Sequence, residues 1–252
     1  MPETWTPLLL GVVVFSVFLY GVSKTAMPVA GVLAGPLLAA ALTPTVAAGF
    51  AVPLLLLGDL IALAVYRQHV EWKLILRIVP GVLVGFAITA ALFAFVDITT
   101  LGRVVGALIL LSVILEVIRM RSPQREPAAH GTPWDRVVTG FFGVLAGVTT
   151  MAANAGGTAM SLYLIRLRIP MLAFMGTSVW FFFFLNLVKI PFVAGLGLFT
   201  AESLKWDLYL APVTILGALV GLYIFRKMDQ RIFVGTALAL SGIASLWLII
   251  HG

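Results

Sequence analysis

Eight long apolar runs dominate the chain, at about 7–41, 45–66, 74–96, 101–118, 137–165, 170–197, 208–225 and 232–250. A helix needs about 20 mostly apolar residues to cross the hydrocarbon core of a bilayer. Six of the runs fit a single crossing. The other two, 7–41 and 137–165, are long and interrupted, the first by Gly21, Ser23, Lys24 and Pro28, the second by Asn154, Gly156 and Gly157. Each reads as a kinked single span or as two short helices meeting at a broken tip within the membrane.

Composition closes off a soluble fold. Of 252 residues, 62% are hydrophobic and 10% charged, whereas a soluble domain has roughly 45–50% and 25%. No soluble fold of this size hides so much apolar surface. Lipid must be the solvent for most of the chain. The net charge of +6 does not point to nucleic acid, because the basic residues are few and lie between apolar runs, as in cytoplasmic loops. With no cysteine, disulfides, thiolate metal sites and a cysteine nucleophile are all excluded. The opening Met-Pro-Glu-Thr-Trp lacks the positive lead of a signal peptide, so residues from Leu8 onward are expected to belong to the mature membrane domain.

The stretch 119–136 is polar, basic and proline-containing, and it cuts the chain nearly in half. It reads as a cytoplasmic linker between membrane repeats at 1–118 and 137–252. The halves align in order. Gly31 falls on Gly157 and Leu42-Thr43-Pro44 on Arg168-Ile169-Pro170. Gly49 falls on Gly176 and Asp59 on Asn186. Trp72 matches Trp206, and then Pro80, Gly85 and Asp97 match Pro212, Gly217 and Asp229.

Orientation follows from the basic residues. If both interrupted segments are re-entrant hairpins and the linker is cytoplasmic, twelve of the 16 Lys and Arg lie inside, Arg103 and Lys205 lie outside, and Lys24 and Lys189 lie within the membrane. If both segments cross, the split becomes eight inside and six outside. The positive-inside rule favours the first arrangement. The expected fold is therefore an all-α integral membrane protein of two inverted-topology repeats, each a broken re-entrant helical hairpin plus three transmembrane helices. Inverted repeats of this kind are common in secondary transporters.

Charges inside lipid-embedded segments are costly and usually functional. Lys24 sits at the first interruption, between Ser23 and Thr25. An ammonium near backbone N–H groups freed by a break is a candidate anion site; the alternative is a lysine that snorkels or pairs with a carboxylate. The second interruption carries Thr149, Thr150, Asn154, Gly156 and Gly157. Its small residues permit close approach and its polar groups can hydrogen-bond a ligand, or it is a packing seam like those of many membrane bundles. By symmetry the two tips are expected to meet near the midplane. Asp59 reads as the only acidic residue deep within a span; it is a candidate proton carrier or the counter-ion of Lys24 or Lys189. Asn186 occupies the matching position, and Lys189 is a second candidate anion ligand.

Other features read as structural. Trp180-Phe181-Phe182-Phe183-Phe184 is expected to be lipid-facing or packing bulk, and Trp72 and Trp206 to be interfacial anchors. No zinc-protease, Walker or serine-hydrolase motif is present, and His69, His130 and His251 form no ligand cluster. No enzymatic machinery is visible.

These residues resemble the TauE/SafE family of sulfite and organosulfonate exporters. Gly21-Val22-Ser23-Lys24 looks like the family's Gly-x-Ser-Lys opening. Asp59, Tyr66 to Trp72 and Pro80-Gly81 are similar to its next stretch. Ala155-Gly156-Gly157, Gly176-Thr177-Ser178 and Asn186 to Pro191 resemble its second-half motifs. The likeness runs over roughly 11–250. Two places depart from it: Thr25-Ala26-Met27-Pro28 stands where members often carry glycines, and Asn154 where histidine is frequent. The resemblance implies export of sulfite or a small organosulfonate such as sulfoacetate across a bacterial cytoplasmic (inner) membrane, with no cofactor and no ATP. The expected partners are the anion and the bilayer, with no nucleic acid; a homodimer is an open alternative. An anion channel and a non-transporting membrane scaffold are the competing readings.

Overall fold

The computed structural model describes residues 5–42, 44–92, 98–121, 132–153, 156–195 and 197–251. Among them are ten α-helices and no strand: α1 (Pro7–Thr25), α2 (Gly31–Leu42), α3 (Pro44–Tyr66), α4 (Trp72–Leu92), α5 (Ile98–Arg121), α6 (Pro133–Ala153), α7 (Gly156–Arg166), α8 (Met171–Gly195), α9 (Ala201–Lys227) and α10 (Gln230–His251). Short 3-10 turns at Pro28–Ala30 and Arg67–His69 join α1 to α2 and α3 to α4. Asn154, Asp97, His130 and most of the linker fall outside the described residues.

Local sequence sets many of the helix ends. Thr6 caps α1 by accepting the Leu9 N–H, with Pro7 in the first turn. Thr132 caps α6 in the same way, accepting the Asp135 N–H ahead of Pro133. A threonine cap followed by proline satisfies an open N–H and presets the helical φ. Thr200 and Ser203 form a capping box on α9, and Asp229 accepts the Ile232 N–H at the start of α10. By length, α1 to α5 and α6 to α10 run in the same order, long, short, long, long and long.

Five helices among the described residues are long and apolar enough to cross a membrane: Pro7–Thr25, Gly49–His69, Trp72–Thr89, Met171–Gly195 and Ala201–Lys227. Their outer faces carry large exposed aliphatics at mid-helix, such as Leu60, Leu83, Leu216 and Leu219. Water does not favour such a surface, and lipid does. The chain is a multi-pass helical membrane protein.

The helices gather into two compact units, residues Met1–Val70 with Met175–Met228 and residues Glu71–Phe174 with Asp229–Gly252. Each draws helices from both halves of the sequence. In the first unit α1 lies along α9, α2 packs on α1, and α3 packs against both α1 and α9. A buried cluster including Val13, Val17, Leu38, Phe50 and Leu210 fills the space between them. In the second unit α6 lies along α4, α5 pairs with α10, and α7 packs on α6.

The two long pairings use the same device. In the first unit, Gly21 of α1 faces Gly217 of α9, and a Cβ on either would strike the opposing backbone. In the second, Gly147 of α6 faces Gly85 of α4 with the same consequence. Small residues allow membrane helices to approach this closely, so that dispersion contacts hold them without a hydrophobic driving force. Gly147 and Gly217 stand in the second half where Gly21 and Gly85 stand in the first, at offsets of about 126 and 132 residues. A further exchange lies within the first unit: Gly49 of α3 packs on the Leu198 carbonyl beyond α8, and Gly176 of α8 packs on the His69 backbone beyond α3.

Candidate functional site

The first unit brings Lys24, Asp59, Asn186 and Lys189 together. Lys24 Nζ lies 2.7 Å from Asp59 Oδ1, and Asn186 donates to Asp59 Oδ2 at 2.6 Å. Both carboxylate oxygens are therefore engaged. Asp59 has no exposed surface, and Lys24 and Asn186 are 8% and 4% exposed. Lys189 interacts electrostatically with both Lys24 and Asp59. Lys24 and Asp59 thus share a mostly apolar interior, where charge interactions are far stronger than in water, and Lys189 lies half-buried at its edge.

Each position has a local cause. Lys24 lies in the last turn of α1, where the carbonyl end of the helix favours a cation. Its aliphatic stem runs over Gly58, where a Cβ would come within 2.9 Å of the Lys24 Cγ. That glycine clears the path to Asp59, the next residue along α3. The break predicted near Lys24 falls just after it: α1 runs unbroken to Thr25, Met27 is extended, and Pro28 opens the 3-10 turn. The backbone groups freed beside Lys24 are accordingly carbonyls of a helix C-terminus rather than the expected N–H groups. One of them, on Thr25, accepts the Tyr66 hydroxyl at 2.7 Å.

The neighbouring hydroxyls hold the scaffold. Ser23 Oγ donates to the Tyr20 carbonyl at 2.8 Å, and Thr25 Oγ1 donates to the Ala218 carbonyl of α9 at 2.7 Å. In the second unit, Gly156 and Gly157 are buried at the start of α7, and a Cβ on Gly156 would collide with Thr150 Oγ1. Thr149 bonds back to the Leu145 carbonyl at 2.8 Å. The buried hydroxyls of Thr150, Thr158 and Ser161 have no hydrogen-bond partner among the described residues. Asn154 lies outside those residues.

Several contributors escaped the sequence reading. The ring of Phe182, read there as lipid-facing or packing bulk, lies 5.3 Å from Lys24 Nζ, a cation–π contact. Helical spacing carried the signal: 182, 186 and 189 share one face of α8. Phe181 of the same run is buried and Phe184 is exposed. Tyr66, seven residues beyond Asp59, shares its face of α3 and meets Phe225 edge-on, with ring centroids 5.2 Å apart. Trp206, read as an interfacial anchor, lies against Trp5 at 4.3 Å. Asp59 is not the only buried acid either. Asp207 of α9 is 6% exposed, and neither of its oxygens has a hydrogen-bond partner among the described residues. Its place at the edge of an apolar run concealed it, whereas the spacing 207, 210, 214 and 217 puts it on the face of α9 that packs inward.

The sequence matches the family described as Sulfite exporter TauE/SafE over residues 11–246, nearly the whole chain. No curated protein and no solved structure matches it. With the match running unbroken from α1 into α10 and spanning every residue of the lysine–carboxylate cluster, the chain belongs to the TauE/SafE sulfite exporter family.

Proposed function

We propose that the protein is a secondary transporter that exports a small anion, sulfite or an organosulfonate such as sulfoacetate, across a bacterial cytoplasmic membrane by alternating access. Lys24, Lys189 and Asn186 are its anion ligands, and Asp59 is the internal anion that holds their place. The observation that carries this reading is the buried Lys24–Asp59–Asn186 group, with the half-buried Lys189 one turn along α8 from Asn186. A buried charge without compensation is unstable, so Asp59 keeps Lys24 in place when no substrate is bound. An incoming sulfonate or sulfite presents the same kind of oxygen acceptors, and Lys24 can exchange Asp59 for it. Asn186 has an amide N–H to donate to either. Coupling then comes from a proton taken by the displaced carboxylate, or from the anion gradient and the membrane potential alone.

Within the second unit, the hydroxyls of Thr150, Thr158 and Ser161 near Gly156 and Gly157 are buried without a hydrogen-bond partner among the described residues, and we keep Gly156 and Gly157, with Asn154 from the sequence, as candidate ligands there. A channel is the weaker reading, since Asp59 is closed off and both of its oxygens are occupied.

Binding to the purified protein tests the proposal. Sulfite, sulfoacetate, taurine, sulfate, phosphate and chloride would be compared at fixed ionic strength, with wild type and Lys189→Met. That variant leaves the Lys24–Asp59 contact intact. Saturable binding of sulfite or a sulfonate, weakened about tenfold or more in the variant, is the expected result, since a charge-assisted hydrogen bond contributes roughly 1.5–3 kcal/mol. Equal binding by both proteins, or binding of none of these anions, would remove the cluster from the function.

A further inference from the structure

The second unit holds a pocket of about 650 Å³ where α5 ends, α7 turns into α8 and α10 begins. Arg168, Arg231 and Glu116 supply its charges, and Met120, Phe174 and Val234 are among its apolar walls. A second groove of about 510 Å³ lies between α5 and α10, lined by apolar residues only, from Val117 and Gly235, next in sequence to Glu116 and Val234 of the pocket, down to Leu246. Gly235 and Gly242 lie in the groove with nothing near the position a Cβ would take. From Arg231 to Leu246 the helix rises about 22 Å, more than the roughly 15 Å depth of one hydrocarbon leaflet.

The charged end is held in place. Gln230 accepts the Met171 N–H at 2.8 Å and donates to the Ile169 carbonyl at 3.3 Å. This ties the loop bearing Arg168 to the start of α10, which bears Arg231. Arg168 itself has a φ of +52°, a left-handed conformation that strains any residue with a side chain and that glycine adopts freely. Arginine at a position where glycine ordinarily closes a helix indicates that its side chain has a use there.

An end with two arginines against one glutamate, net basic, and a bare apolar trough along two helices of a membrane protein match one class of ligand. We propose that the pocket and groove bind a single anionic phospholipid, with its phosphate between Arg168 and Arg231 and one acyl chain laid along α5 and α10 over Gly235 and Gly242. Basic pockets between membrane helices recognise such headgroups electrostatically, and the apolar groove adds chain burial.

Native mass spectrometry of the full chain in detergent tests this with phosphatidylglycerol and phosphatidylcholine of identical acyl chains. Inorganic phosphate and sulfite serve as soluble competitors. Phosphatidylglycerol is expected to bind more tightly by about tenfold or more, as two arginines at a headgroup imply. The double variant Arg168→Gly with Arg231→Gln should abolish that preference. Arg168→Gly alone should weaken phosphatidylglycerol binding, at a position whose left-handed φ glycine adopts freely. Gly235→Leu with Gly242→Leu should displace the lipid while leaving both arginines in place. Equal binding of the two lipids, displacement of phosphatidylglycerol by phosphate or sulfite, or variants that bind like wild type would each overturn the assignment. None of these outcomes depends on the anion site around Lys24.

Discussion

Breaking the contact between Lys24 and Asp59 from either side strands a charge at a site almost wholly shut off from solvent. Removing one member of a buried pair costs about 3–5 kcal/mol, whereas replacing both with apolar residues of similar volume is often neutral. Lys24→Met and Asp59→Leu should therefore each lower stability by that amount. The double variant should recover most of the loss, as read by denaturation of the purified protein in detergent. Additive losses would show that the two side chains do not depend on each other. At the same depth, Tyr66→Phe deletes the donor to the Thr25 carbonyl while keeping the ring against Phe225. An orphaned buried carbonyl costs about 1–3 kcal/mol, and the same denaturation measurement should show a loss of this size with no change in oligomeric state.

At the scale of the helix, the glycine seams decide how closely α1 approaches α9 and α6 approaches α4. A methyl group at Gly21, Gly217, Gly85 or Gly147 meets backbone that cannot move aside. Alanine at any of these four should cost about 1–3 kcal/mol by overpacking. Gly11→Ala and Gly140→Ala, where the added atom meets nothing, should be neutral or slightly stabilising through helix propensity. Thermal melting of the six variants separates the groups, and equal effects across them would contradict the seam. Much of this level could be read in the chain, since the apolar runs located the helices. The partners were not legible, because a glycine in an apolar run shows that something approaches closely without saying what. Hence the pairing of α1 with α9, drawn from opposite halves, had no sequence signal of its own. The site was legible in the same uneven way. Lys24, Asp59, Asn186 and Lys189 stand out as polar residues among apolar ones, but Phe182 and Asp207 blend into their surroundings and emerge only through helical spacing or burial.

At the scale of the whole molecule, contacts recur in exchanged form. Gly21 with Gly217 in one unit corresponds to Gly147 with Gly85 in the other, and Gly49 with Leu198 corresponds to Gly176 with His69. Asp59 bonds to Asn186, its own counterpart in the alignment. Reciprocal contacts of this kind fit a duplication of the halves, and the inversion proposed from the basic residues is a separate question of sidedness. Inversion places equivalent points of the two halves on opposite sides of the membrane. Because the chain has no cysteine, single cysteines at the exposed positions Glu71 and Glu202 report sidedness directly. Glu71→Cys should react from the cytoplasm and Glu202→Cys from outside. Labelling of both from one side would mean that the repeats are parallel.

The central claim is that Lys24, paired with the buried Asp59, and the half-buried Lys189 carry an anion through the membrane. Sulfite efflux from proteoliposomes tests it most directly, with wild type compared with Lys189→Met at a matched density of folded protein. The account predicts saturable efflux by wild type, and a rate at least about tenfold lower when the charge-assisted contacts of Lys189 are lost. Undiminished efflux by the variant would contradict it.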